Sequence, residues 1–277
     1  MYPIVLCHGV CRFDILWKDT LHSDNNDDAD IDQYHYFKGI RTLLRRHGYE
    51  AWHANVPWGA GVAARAQALA RNIRTILEHP SKPDKVHLVA HSMGGLDARH
   101  MLFDERNHGK IHERIASLTT ISTPHHGSSF ADWGTDHLQE VLHIAKALGL
   151  NLDAMRDLRA DRCRAFNQDP EVLEFEERIA ETIRFQTYAG WQHWHGVYWP
   201  LKIAHKIIQD KEGDNDGLVS VASAAWGEKY FQEAWPQTDH LNELGWWDAS
   251  QWSAGESAAV LLRRIHDYYL GIAEGLR

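Results

Sequence analysis

Val86-His87-Leu88-Val89-Ala90-His91-Ser92-Met93-Gly94-Gly95 sets a serine between two unlike patterns. Residues 86–90 form a continuous apolar run, the signature of a strand buried on both faces. Helical periodicity takes over at 96–103. A strand-to-helix reversal this tight holds its central residue in a strained backbone and requires small neighbours. It thrusts the Ser92 hydroxyl out at the strand's carboxyl end. The following helix aims its N-terminal dipole and free N–H groups at the same point, where an oxyanion would develop. The usual pattern is G-x-S-x-G, and Ala90 stands at its first position, small enough for the turn. A serine that merely caps a helix is the bland alternative. The strand before and the helix after favour a nucleophile.

Outward from that turn, strands are expected at 3–7, 49–54, 115–121 and 182–188, and helices at 63–77, 96–103 and 258–270. Strands alternating with helices predict an α/β domain around a mostly parallel central sheet. No repeat or low-complexity linker divides the chain, so residues 1–277 read as one domain. Residues 22–32 (HSDNNDDADID) read as a polar surface loop. Residues 131–181 hold helical patterns and no strand, with Leu138, Val141, Leu142, Ala145 and Leu148 on one face. This stretch is expected to be a helical, lid-like insertion.

Composition narrows the function classes. At 44% apolar and 24% charged, the 277 residues have the make-up of a folded domain. A net charge of −9 without any basic run argues against nucleic acid as a partner. No stretch approaches the roughly 20 apolar residues of a membrane helix. Three cysteines do not make a disulfide framework, and Cys7 and Cys11 match no zinc spacing, so they read as small apolar residues. The opening MYPIVL has no signal-peptide pattern, which favours a cytoplasmic location, with secretion open if a signal was removed.

A serine hydroxyl needs a base, and the base needs a carboxylate to fix its tautomer. Downstream of Ser92, Gly213-Asp214-Asn215-Asp216-Gly217-Leu218-Val219 puts acids in a turn against an apolar run. Those side chains also serve ordinary turn hydrogen bonds. Asp239-His240-Leu241 follows. The other downstream histidines fall in helical patterns or in the Trp-rich segment that holds His193 and His195, whereas His240 stands among turn-like residues on a late loop.

Five motifs now stand in order: Pro3-Ile4-Val5-Leu6-Cys7-His8-Gly9, Ala90-His91-Ser92-Met93-Gly94-Gly95, Ser122-Thr123-Pro124-His125-His126-Gly127-Ser128, Asn215-Asp216-Gly217-Leu218-Val219 and Asp239-His240-Leu241. Over roughly residues 2–245 the chain resembles bacterial-type triacylglycerol lipases. The resemblance implies an α/β-hydrolase fold and a serine ester hydrolase, with Ser92 as nucleophile, Asp216 as acid and His240 as base. It also implies an oxyanion hole from the backbone N–H groups of Val10 and Met93.

Departures from the family pattern matter. Calcium-dependent members carry an acid two residues after the catalytic histidine, where this chain has Asn242. They carry a disulfide cysteine where Ala222 stands. Neither the calcium nor the disulfide is carried over, and no cofactor or metal is expected. Asp24, Asn26, Asp28 and Asp30 have some calcium-loop character, but Ala29 and His35 occupy positions that an EF-hand gives to Gly and Glu. His125-His126 reads as structural.

The expected substrate is a small-molecule or lipid ester with an apolar acyl group, with transient contact at a lipid interface allowed. Trp191, Trp194, Tyr198 and Trp199 offer an aromatic wall for the cleft. A non-catalytic hydrolase-fold binding protein and an acyltransferase on the same triad are the competing readings.

Overall fold

Strand β1 (Ile4–Cys7) is buried on both faces, and its side chains alternate between them. Ile4 and Leu6 join one apolar cluster, while Val5 and Cys7 join another. That period of two places the strand between two layers of helices. The structure is a computed structural model, and it describes residues 1–10, 32–137, 152–247 and 257–277.

Five more strands flank β1: β2 (Ala51–His53), β3 (Val86–His91), β4 (Ile115–Ile121), β5 (Arg184–Trp191) and β6 (Phe231–Pro236). Their spatial order is β2-β1-β3-β4-β5-β6, and every neighbouring pair is parallel. Cys7 lies in register with Ala90, and His91 with Ile121, so the carboxyl ends of the central strands share one edge. Ligands of open parallel sheets gather outside that edge.

Helices α1 (Ile40–Arg46), α2 (Val62–Leu77) and α3 (Met93–Asp104) precede β4. Between β4 and β5 lie α4 (Ser129–Asp136), α5 (Leu152–Asp157), α6 (Ala160–Asn167) and α7 (Pro170–Ile179). Helix α7 starts where Pro170 follows Asp169, whose side chain accepts from the Glu171 N–H. Helices α8 (Lys202–Glu212), α9 (Val221–Ala224) and α10 (Ala258–Gly275) follow β5. Ile40 and Leu44 of α1, Ala204 and Ile208 of α8 and Ile265 and Tyr269 of α10 cover one face of the sheet. Leu69 and Ile73 of α2, Ala98 and Met101 of α3 and Phe175 of α7 cover the other.

The expected strands and helices form, with α3 starting earlier than its periodicity indicated because the turn at Ser92 feeds directly into it. Strand β6 was not anticipated: it is an edge strand whose Gln232 and Glu233 face water, so its apolar signal is weak. Its Trp235 is fully buried and stacks on Tyr268 at 4.4 Å.

Asp32, the last residue of the expected surface loop, is not at the surface. Its side chain is fully buried, bonded to His53 Nε2 at 2.6 Å and the Thr42 N–H at 2.8 Å, with Arg41 Nε at 3.3 Å. The charge is tolerated there because an ion pair and hydrogen bonds replace water. The calcium-like positions 24–30, Cys11 and the amphipathic face at 138–148 lie outside the described residues.

Candidate active site

Ser92 sits between β3 and α3 at φ 57°, ψ −135°, a conformation few non-glycine residues adopt. Such a backbone costs about 1–3 kcal/mol and persists only where its surroundings enforce it. They do so on several sides. The Ser92 N–H donates to Ile121 O at 2.9 Å, and Thr123 Oγ1 donates to Ser92 O at 2.8 Å. A Cβ on Gly94 would lie 2.5 Å from the Cys7 carbonyl oxygen, and one on Gly95 would collide with the Thr123 side chain. The two glycines are there because backbone and side chains of neighbouring strands pass against them.

Asp216 and His240 meet although 24 residues separate them. The turn before β6 makes this happen. Asn215 Oδ1 accepts from the Gly217 N–H, Gly217 takes φ 103°, and Asp216 Oδ1 accepts from the Leu218 and Val219 N–H groups at 2.8 Å each. That leaves Asp216 Oδ2 for His240 Nδ1 at 2.7 Å, and the His240 N–H donates to Asp216 O. Burial alone would push the Asp216 carboxyl up. His240 and the two N–H groups outweigh it and hold the group below its usual range, so it is a carboxylate. Asp214 is exposed and takes no part.

With Nδ1 facing the carboxylate, the neutral imidazole carries its proton there and leaves Nε2 as the base. Nε2 is buried and has no hydrogen-bond partner. The His240 ring lies 4.4 Å from that of His91, the residue before the serine. A buried basic nitrogen without a partner is costly in a merely structural histidine.

Val10 and Met93 flank Ser92, one from the segment after β1 and the other from the start of α3. Met93 is the first residue of α3, where backbone N–H groups have no intrahelical acceptor. The His8-Gly9-Val10 turn runs so close that a Cβ on Gly9 would lie 2.8 Å from Ser92 Cβ. Arg65 anchors this turn from α2. Its Nη2 donates to His8 O at 2.8 Å and Gly9 O at 3.3 Å, its Nη1 to Pro57 O, and it pairs with buried Asp97 at 2.7 Å. Burial pushes the Asp97 carboxyl up to about 6 against the pull of Arg65. His8 stacks on Trp58 at 3.9 Å, and burial, reinforced by the Arg65 charge, lowers it to about 3, so it is neutral.

Near Asp216 and His240 lies a second carboxyl that no local motif announces. Glu243 is fully buried, with Oε1 accepting from Ser122 Oγ at 2.6 Å and Oε2 paired with His91 Nε2 at 2.6 Å. His91 Nδ1 meets Tyr36 Oη at 2.8 Å. Burial, and then the Asp216 charge, push Glu243 well above the usual carboxylate range. Burial likewise lowers His91 well below its own. The network is therefore neutral, and it joins β3, β4, the Tyr36 segment and the loop after His240. Its partners lie 121 and 152 residues away in sequence, so only the fold assembles it. His91, His240 and Glu243 have metal-ligand chemistry within 4.8 Å of one another. Two imidazoles do not suit calcium, which takes oxygen ligands, and the hydrogen bonds already engage three of the four ring nitrogens.

Asn242 stands where calcium-dependent lipases have an acid. Its Oδ1 accepts from the Asp239 N–H at 3.0 Å and its Nδ2 donates to Trp246 O at 2.9 Å. A carboxylate could accept the first of these bonds but has no donor for the second. Trp246 Nε1 in turn donates to Tyr36 O at 3.0 Å.

A small apolar pocket opens at Ser92, lined among others by Val10, Phe130, Met155, Leu158, Leu218 and Val219. Trp191, Trp194, Tyr198 and Trp199, expected to form an aromatic wall, are not among its lining residues, and Trp194 and Trp199 are exposed. His125, as expected of a structural residue, is buried and stacks on Trp226 at 4.9 Å.

A family model for the PGAP1-like alpha/beta domain matches residues 23–162. The triacylglycerol lipase of Vibrio cholerae is 31% identical over 88% of this chain and 79% of its own length. The chain belongs to the lipase family of the α/β-hydrolase superfamily. It is a serine ester hydrolase. The lipase is also 28% identical to triacylglycerol lipase 2 of Saccharomyces cerevisiae, over 99% of this chain and 90% of the yeast protein. Its match to the triacylglycerol lipase of Burkholderia plantarii, 31% identical, spans 50% of this chain and 34% of that one. In fold, the lipase superimposes on the Staphylococcus hyicus lipase with a TM-score of 0.63 at 18% identity, covering 99% and 96% of the two chains. A metagenomic carboxyl esterase gives 0.67, also at 18%, covering 98% and 76%.

Proposed function

We propose that the lipase hydrolyses carboxylic esters of apolar acyl groups through Ser92, His240 and Asp216, by way of an acyl-enzyme. The observation that carries this reading is the buried 2.7 Å bond from His240 Nδ1 to Asp216 Oδ2, with Nε2 left as a partnerless base. Ser92 Oγ attacks the acyl carbonyl carbon and passes its proton to His240 Nε2. Asp216 stays ionised and stabilises the imidazolium. The backbone N–H groups of Met93 and Val10 receive the oxyanion, donors whose loss typically costs about 10²–10³ in rate. Collapse expels the alcohol, which takes the proton from His240. Water, deprotonated by the same nitrogen, then releases the acid and restores Ser92.

The acyl group lies in the apolar pocket at Ser92. Phe130 and Ala131 of α4, with Met155 of α5, supply much of its lining. The 131–181 insertion is thus proposed as the substrate-facing cover of the site, acting as a lid. The relatives' names point to acylglycerols as the ester class.

The experiment is stoichiometric labelling by a serine-directed phosphonate. We expect one adduct per chain, on Ser92, together with loss of ester turnover. Ser92→Ala should remain folded and lose about 10⁴- to 10⁶-fold in kcat. More than a tenth of wild-type turnover on a short p-nitrophenyl ester, or an adduct elsewhere, overturns the assignment.

A further inference from the structure

Among the described residues, eight large apolar side chains are exposed, and three of them fall within ten residues: Trp194 at 46%, Trp199 at 67% and Ile203 at 53%. Trp199 opens the 3₁₀ turn Trp199–Leu201 that runs directly into α8, and Ile203 stands in the first turn of α8. Lys202 Nζ lies 4.3 Å from the Trp194 ring centroid and joins that tryptophan to the same patch. Lys206 follows one turn later, exposed.

The chain has 38 acids, yet residues 192–209 (QHWHGVYWPLKIAHKIIQ) contain none, while holding Lys202, Lys206 and exposed His193 and His195. A segment without acids that exposes Trp194, Trp199, Ile203 and Lys206, on a protein of net charge −9, is complementary to a negative surface with an apolar layer beneath it. Indole rings favour the headgroup level of a lipid layer, where the ring is buried and the N–H stays wet. Lysines add attraction to anionic headgroups.

The patch also adjoins the reaction centre. It begins at the carboxyl end of β5, on the catalytic edge of the sheet. The Tyr198 N–H donates to Asp239 Oδ2 at 2.9 Å, next to His240, and Leu201 packs against Gly217, next to Asp216. No helix of the described residues is long and apolar enough to cross a membrane, so attachment through this face is peripheral.

We propose that Trp194, Trp199, Ile203, Lys202 and Lys206 form a docking surface for an anionic lipid layer, holding the catalytic edge against it. The inference does not depend on which residues form the triad. The test is cosedimentation of the full chain with phosphatidylcholine vesicles, with and without about one-third phosphatidylglycerol, at low and physiological salt. Wild type should partition to the anionic vesicles and less to the neutral ones. Lys202→Glu with Lys206→Glu should remove that preference, lowering anionic partitioning at least about thirtyfold, from roughly 1 kcal/mol per lysine lost. Trp199→Ala with Ile203→Ser should weaken binding to both vesicle types. Both double variants should keep wild-type turnover of a soluble short-chain ester, which separates docking from chemistry. Wild type that ignores anionic vesicles, or variants that bind like wild type, overturn the proposal. So does a wild-type dimer that the Trp199/Ile203 variant dissolves, since the patch would then serve a second copy of this chain.

Discussion

At the scale of single residues, Asp214 and Asp216 show how little separates a buried, hydrogen-bonded carboxylate from a solvated one. They are two positions apart in the same turn. Asp216 accepts three hydrogen bonds and is fully buried, while Asp214 is exposed. Asp216→Asn should therefore slow ester turnover by about 10⁴, by releasing the tautomer of His240 that leaves Nε2 basic. Asp214→Asn should leave kcat/KM within about twofold. Steady-state kinetics on a soluble ester decide between them, and exchanged behaviour would move the acid to Asp214. The choice was legible only through the resemblance, because the turn by itself offered both acids.

Elements hold these residues in place, and two of them carry predictions. Helix α2 delivers Arg65 beneath the His8-Gly9-Val10 turn, where it fixes two carbonyls and neutralises Asp97. Arg65→Met should cost about 3–5 kcal/mol of stability, since it strands a buried carboxylate and removes the turn's anchor. At temperatures where the variant remains folded, kcat should fall more than KM rises, because the proposed role of the Val10 N–H is to receive the oxyanion of the transition state. Urea unfolding with parallel kinetics checks both. The loop after His240 is the second case. Asn242 clips it to Asp239 and Trp246, and Trp246 reaches Tyr36. This loop is closed by amide and indole hydrogen bonds where relatives that need calcium place a carboxylate ligand. Dialysis against a strong chelator should thus leave both activity and Tm unchanged. A loss that added calcium alone reverses would disprove this.

The whole molecule feels Asp32, which ties the 32–39 segment to α1 and to edge strand β2. The nearby His53 and the Thr42 N–H outweigh burial and lower its carboxyl to about 2. A carboxyl depressed in the folded state stabilises the protein above its unfolded value, near 3.8, and that contribution fades as pH falls toward 2. The difference in unfolding free energy between wild type and Asp32→Asn should be about 2 kcal/mol and constant above pH 5. It should shrink between pH 4 and pH 2, and denaturant titrations across that range measure it. A difference that grew on acidification would contradict the assignment.

Local sequence by itself determined the strand–turn–helix at Ser92, the parallel α/β alternation and the late loop carrying His240. These depend on period, small residues at a tight reversal and turn chemistry, all expressed within about ten neighbouring positions. Tertiary structure alone decided three matters. It recruited Glu243, Ser122, His91 and Tyr36 into one buried network, whose bonds span 55 to 152 residues. It placed Asp32 inside although its neighbours in sequence are acidic, because Arg41 and His53 converge on it. It turned Trp194 and Trp199 away from the cleft and out to the surface. A side chain's period states that it is apolar or polar, but which groups lie opposite it is set by how distant segments stack. Burial of a charge, or exposure of an indole, is settled only there.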